Sequence, residues 1–160
     1  MKEIKIESRF TVYDSLDELP EEISFLMRKA IEARQDAYAP YSEFYVGAAL
    51  LLDNNEIITG NNQENASYPS GLCAERTAIY YAGARYPNGK IIRMAITAGS
   101  KKQPTTIPTP PCGACRQAIA EYEVKQGFPI EIYFMGETGE VFKSNSLANL
   151  LPLLFDKSFL

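Results

Sequence analysis

The chain contains three cysteines and no histidine. Two of the cysteines form Cys112-Gly113-Ala114-Cys115, and the third, Cys73, lies far upstream. An odd count argues against a disulfide framework. Without histidine, neither a Ser-His triad nor a His-bearing metal site can be built. Acid-base work must then fall to carboxylates, lysine, tyrosine or water on a metal. Cys112 and Cys115 stand three apart where a proline-rich loop turns into a helix, so their sulfurs can share its first turn. Cys73 opens another helix, and thiolates at two helix N-termini gain from the free N–H groups and positive dipole end there. Zinc suits thiolates in a tetrahedral shell, and three protein ligands leave a fourth position for water, the catalytic rather than the structural pattern.

A lone C-x-x-C serves equally well as a redox or structural pair. Glu75, two residues beyond Cys73, shifts that balance. Neighbours at this spacing point apart within a helix, but at a helix start both side chains can face the same end. Alone, Glu75 would read as a solvated carboxylate favoured by the dipole. Beside three thiolates it reads as a proton carrier for metal-activated water, whose pKa falls from about 15.7 to about 7. Three thiolates around Zn²⁺ leave a net negative charge that opposes this ionisation. Arg76 and Arg116, close to the ligands in sequence, are candidates to offset it, Arg76 by hydrogen bonds to sulfur. Each could instead be an ordinary surface arginine.

These groups need elements to position them. Residues 2–13 partly alternate apolar and polar side chains, as an edge strand does. Ile23, Leu26, Met27, Ala30 and Ile31 recur at helical spacing within residues 20–38, with Pro20-Glu21-Glu22 at the start. Residues 44–52, a turn at Asp53-Asn54-Asn55 and residues 56–60 read as a hairpin. Residues 61–72 form a loop leading into a helix over 73–86, ended by Pro87-Asn88-Gly89. A strand follows over 91–98. The stretch 99–111 holds four prolines and must be a loop. A helix over 112–126 closes at Gly127, a strand runs over 129–135, and a turn occupies 136–139. Ser146 can cap a short final helix through Leu151, stopped by Pro152. This order implies one sheet covered by helices, an α/β architecture in one domain over residues 1–160.

Composition excludes several functions. With 46% apolar and 22% charged residues the chain reads as soluble and globular. No apolar run is long enough to span a bilayer, and the start Met1-Lys2-Glu3 lacks signal-sequence character, so a cytoplasmic location is expected. A net charge of −4 with scattered basic residues argues against nucleic acid as a partner.

Cys73-Ala74-Glu75-Arg76 and Pro111-Cys112-Gly113-Ala114-Cys115-Arg116 together resemble the paired signature of cytidine deaminases, in the three-cysteine variant of the zinc deaminases. Further blocks in order carry the resemblance from Tyr38 to Phe155: Tyr38-Ala39-Pro40-Tyr41-Ser42, Val46-Gly47-Ala48-Ala49, Asn62-Gln63-Glu64-Asn65-Ala66-Ser67-Tyr68 and Leu150-Leu151-Pro152. The resemblance implies a cytidine deaminase-like three-layer α/β/α fold with a mixed five-stranded sheet. Residues 1–18 fall outside it as an extension carrying an extra strand. It implies one Zn²⁺ per subunit on Cys73, Cys112 and Cys115, with Glu75 catalytic. The reaction would be hydrolysis of cytidine and deoxycytidine to uridine and deoxyuridine with release of ammonia, in pyrimidine salvage. Glu75 would take a proton from the attacking water, deliver it to ring N3, and pass a second one as ammonia leaves C4.

By the same resemblance, Asn62 and Glu64 bind the ribose 3′-hydroxyl, Phe44 packs on the base, Ala74 contacts substrate, and the Pro110 carbonyl reads the amino group. Asn62 and Glu64 could instead satisfy nearby backbone, and Phe44 could be a core residue. Tyr68 and Phe155 match aromatics that complete a neighbouring subunit's pocket, which implies a homotetramer. The apolar tail residues Leu153, Leu154, Phe155, Phe159 and Leu160 independently suggest burial against a partner. Three rival readings stand. One is a deaminase of another amino-heterocycle such as a cytosine nucleoside antibiotic, which Asn62-Gln63-Glu64-Asn65 argues against. The second is a non-catalytic zinc module closed by a carboxylate. The third, a nucleic-acid editor, is opposed by the acidic charge.

Overall fold

The computed structural model describes residues 1–160. Its strands are β1 (Thr11–Tyr13), β2 (Phe44–Leu52), β3 (Ile57–Asn61), β4 (Ile91–Ser100), β5 (Glu131–Met135) and β6 (Val141–Ser144). Its helices are α1 (Glu21–Gln35), α2 (Ala74–Arg85) and α3 (Gly113–Gln126). The strands form one six-stranded sheet in the order β1-β6-β5-β4-β2-β3. Only β4 and β5 run parallel, joined through α3, while the remaining pairs are antiparallel. The sheet is therefore mixed, with β1 added to the expected five strands.

Alternation along the strands sends side chains to two different layers. On one face Ile23, Leu26, Met27 and Ala30 of α1 pack against Ala49, Ala95 and Tyr133. On the other, Ala78, Ile79 and Ala82 of α2 and Ile119 of α3 pack against Leu50, Met94, Ile96 and Ile132. This is the three-layer α/β/α arrangement. Two helices share one face, so their N-termini can converge at one end of the sheet. No helix is long and apolar enough to cross a membrane.

The structure corrects several expectations. Residues 2–13 do not form a continuous strand: only Thr11–Tyr13 pair, with Lys143, Phe142 and Val141. Residues 1–10 pair with no strand and lie exposed. The α1 helix ends at Gln35 rather than at residue 38, and β4 extends to Ser100. Strand β6 had no sequence-based prediction; it forms because the turn after β5 returns the chain antiparallel. The expected final helix is a single 3₁₀ turn, Leu147–Asn149, capped by the Ser146 hydroxyl, which accepts from the Ala148 N–H. Gly127 does close α3, in the left-handed conformation at φ 61° that glycine adopts without steric cost.

Candidate active site

Cys73 and Cys112 are the N-cap residues of α2 and α3, both in extended backbone (φ −73°, ψ 156° and φ −65°, ψ 167°), and neither side chain caps its helix. Their sulfurs are thus free to point away from the helix starts. Two loops bring them together. Gln63 and Leu72 exchange backbone hydrogen bonds of 2.9 and 3.0 Å, which folds the 64–71 loop back and returns Cys73 beside the end of β3. Pro111 leads directly into Cys112. The three Sγ atoms lie within 4.8 Å of one another, with Cys73 and Cys112 at 3.8 Å, and all three thiols are free.

Electrostatics distinguish the thiols. A hydrogen bond with Cys115 and the Arg76 guanidinium lower Cys73 to about 5 against the pull of burial. Cys115 is pushed up by the same hydrogen bond, by burial and by the nearby Glu75 carboxylate. One thiolate forms readily and the next must form beside it, so a cation is the natural complement to the set. Arg76 Nη2 donates to Cys73 Sγ at 3.8 Å. Arg116 does not reach sulfur: its Nε donates to the Pro111 carbonyl and its Nη1 to the Leu150 carbonyl, each at 2.8 Å. The charge-offsetting candidate near the sulfurs is Arg76.

Glu75 is 4% exposed, and its Oε2 has no hydrogen-bond partner. Burial raises its pKa to about 7, with a further push from Cys73. An unpartnered buried carboxylate oxygen is costly to the fold and so points to a function. It belongs to the same cluster as the sulfurs, since Cys73, Cys115 and Arg76 all influence its proton. Soft donors at two helix starts, with this orphan oxygen alongside, fit a thiolate-bound zinc ion.

A cavity of about 400 Å³ opens over Cys73 and Arg76 and is lined also by Ser42, Asn62, Glu64 and Tyr68. A larger surface groove of about 880 Å³, between Asp17 and Arg28, contains none of the candidate groups. The Glu64 carboxylate accepts from the N–H groups of Tyr41 and Ser42 at 2.9 and 3.2 Å and from the Ser42 hydroxyl. Burial works to raise its pKa, but these hydrogen bonds outweigh it and hold Glu64 below the usual carboxylate range. Asn62 is buried; its Oδ1 accepts from Val46 N–H at 2.7 Å and its Nδ2 donates to Phe44 C=O at 2.9 Å. In the single chain both residues therefore satisfy backbone while facing the cavity.

The remaining residues are more dispersed. Phe44 is half-buried at the start of β2, and Ala74 is fully buried between Cys73 and Glu75. Pro110 lines a separate cavity of about 430 Å³ with Ser8, Phe10 and Arg116. Tyr68 and Phe155 are 78% and 58% exposed. Sequence reasoning gave no role to Ser42, which secures Glu64. Its position in the Tyr38–Ser42 block was legible; its partner, across a loop, was not.

A family model for the cytidine and deoxycytidylate deaminase zinc-binding region matches residues 20–128. A cytidine deaminase from Halalkalibacterium halodurans is 49% identical over 98 residues, covering 60% of this chain and 68% of that protein. One from Sporosarcina psychrophila is 38% identical over 139 residues, or 85% and 93% of the two chains. The 1.6 Å crystal structure of cytidine deaminase from Burkholderia pseudomallei superposes with a TM-score of 0.72 at 37% identity, covering 86% of this chain and 100% of that one. A shared fold, a family match through both cysteine motifs and relatives similar along most of their length lead to one assignment: this chain belongs to the cytidine and deoxycytidylate deaminase family.

Proposed function

We propose that the protein hydrolyses the 4-amino group of cytidine and deoxycytidine, giving uridine or deoxyuridine and ammonia. The observation that carries this is the buried Glu75 carboxylate, with one unpartnered oxygen, beside three clustered sulfurs in a member of this family. Cys73, Cys112 and Cys115 would hold one zinc ion per chain. When bound, zinc supplies Lewis acidity that makes water a competent nucleophile at neutral pH. Glu75 takes the proton as water adds to C4 and delivers it to ring N3. It then carries the proton of the new 4-hydroxyl to the amino group, and the C–N bond breaks as the C4 carbonyl forms and ammonia leaves. A pKa raised toward neutrality suits one group that must act as base and then acid. Arg76 offsets the thiolate charge through Cys73.

Glu64, fixed by Ser42, presents its carboxylate to the ribose 3′-hydroxyl; a hydrogen bond to a charged group contributes about 1.5–3 kcal/mol. Asn62 holds the strand that carries Phe44 and retains one lone pair on Oδ1 for the same sugar. Phe44 packs on the base, Ala74 contacts it, and the Pro110 carbonyl accepts from the 4-amino group. The exposed Tyr68 and Phe155 are the residues a neighbouring copy would receive, in a homotetramer. The whole chain would act as one deaminase domain, with residues 1–18 added to it, in cytoplasmic pyrimidine salvage. Steady-state ammonia release from cytidine, deoxycytidine, cytosine and CMP tests the assignment. Turnover is expected for the two nucleosides; zinc-loaded protein that prefers cytosine or CMP would overturn the nucleoside reading.

A further inference from the structure

The loop that delivers Cys112 has few restraints of its own. Residues 106–111 take part in no backbone–backbone hydrogen bond, and Pro108, Pro110 and Pro111 have no N–H to donate. Such a segment cannot fix the position of its own end. Arg116 supplies the restraint. Its Nε donates to the carbonyl of Pro111, the residue before Cys112, while its Nη1 donates to the Leu150 carbonyl, both at 2.8 Å. One planar guanidinium thus clamps the loop to the C-terminal tail.

The tail is itself anchored from two sides. The Glu123 carboxylate of α3 accepts from the Leu147 N–H at 3.0 Å and the Ser146 hydroxyl at 2.7 Å. From the N-terminal side, the Ser8 hydroxyl donates to the Asn149 carbonyl at 2.6 Å. The Phe10 ring packs on Phe134 and Phe142, with centroids 6.4 and 6.2 Å away. This seats the exposed N-terminal segment against β5 and β6. Ser8 and Phe10 then face Pro110 and Arg116 across the cavity of about 430 Å³.

We infer that Arg116 is a positioning residue for the zinc-ligand loop, and that Ser8 and Phe10 brace it through the tail. The brace lies outside residues 20–128, the stretch matched by the family model. The inference rests on reading the cysteines as zinc ligands. Cys112 is the most exposed of the three, so its sulfur depends on the backbone for its position. Groups that orient metal ligands typically alter metal affinity 10–100-fold when removed. A lysine lacks the rigid fork that reaches two carbonyls in fixed directions, so charge alone should not substitute.

The test is the rate of zinc release from full-length, zinc-loaded protein to an excess of a chromophoric chelator, with amide exchange at residues 112–115 followed in metal-free protein. Arg116→Gln and Arg116→Lys are expected to release zinc about tenfold faster and to exchange faster. The lysine variant keeps charge and bulk, which separates loss of the clamp from misfolding. The pair Ser8→Ala/Phe10→Ala is expected to accelerate release less, and to add nothing in the Arg116→Gln background, because its effect runs through the same anchor. Release and exchange at the unaltered rates in both Arg116 variants would overturn the inference. So would equal acceleration by the Ser8/Phe10 pair with and without Arg116. Unaltered protein that binds no zinc would instead overturn the reading of the site.

Discussion

Gly60 sits on β3 directly beneath the first turn of α2, and replacing it by alanine should damage the site without removing any candidate chemical group. A β-carbon there would lie 2.7 Å from both the Ala74 carbonyl oxygen and the Ala78 nitrogen, about 0.7 Å short of the 3.4 Å where ordinary contact begins. Both neighbours are backbone, so no flexible side chain can yield. The start of α2 must move away from the sheet, carrying Cys73 and Glu75 with it. Overpacking of this kind typically costs about 1–3 kcal/mol, and misplacement by 1 Å can reduce turnover about 100-fold. Gly60→Ala should therefore lower the urea midpoint and reduce kcat/KM on the order of tenfold to a hundredfold. Gly113→Ala is the control: it lies beside Cys112, yet a β-carbon there meets nothing within 4 Å, so stability should hold. Urea unfolding and steady-state kinetics on the two purified variants decide the matter. A Gly60→Ala protein with unaltered midpoint and unaltered turnover would refute the claim that close β3–α2 contact sets the site.

Arg76→Gln removes the guanidinium that donates to Cys73 Sγ at 3.8 Å; zinc affinity should fall about 10–100-fold, and equal affinity in chelator competition would contradict its role. Asn62→Ala breaks hydrogen bonds of 2.7 and 2.9 Å to the β2 backbone. It should lower stability by about 1–3 kcal/mol as well as raise KM, so an unchanged urea midpoint would count against this reading. Glu131 accepts from Lys143 and Arg93 at 2.6 and 3.0 Å. Burial opposes its charge, but these partners outweigh that effect and hold its pKa below the ordinary 4.5. Its contribution to stability is then complete above the ordinary value and is lost as pH falls through the depressed one. Glu131→Gln should flatten the acid limb of the stability profile, and an identical limb would rule this out.

Much of the scaffold was legible because its signals are local. Ile23 to Ala30 recur at helical spacing and become the buried face of α1, while the hairpin of β2 and β3 follows from two strand-like runs around a short turn. Strand β6 escaped because four residues carry too little alternation to stand out, and its existence depends on β5 being present to pair with. The N-terminal segment alternates only in part, and pairing is confined to Thr11–Tyr13 opposite Lys143–Val141. In the site, cysteine count and spacing were sufficient to group Cys73, Cys112, Cys115 and Glu75. The destinations of long side chains were not readable. Arg116 adjoins a ligand in sequence, but its hydrogen bonds go to Pro111 and to Leu150, 34 residues away. Asn62 likewise finds its partners on a strand 16 to 18 residues earlier.

The proposed reaction depends on Glu75 moving protons beside a zinc held by three cysteines. The most direct measurement compares unaltered protein and Glu75→Gln for zinc content and for ammonia released from cytidine. The expected result is equal zinc in both, with turnover reduced about 10²–10⁴-fold in the glutamine variant, the usual worth of a general acid-base group. Comparable turnover by the two proteins would contradict it.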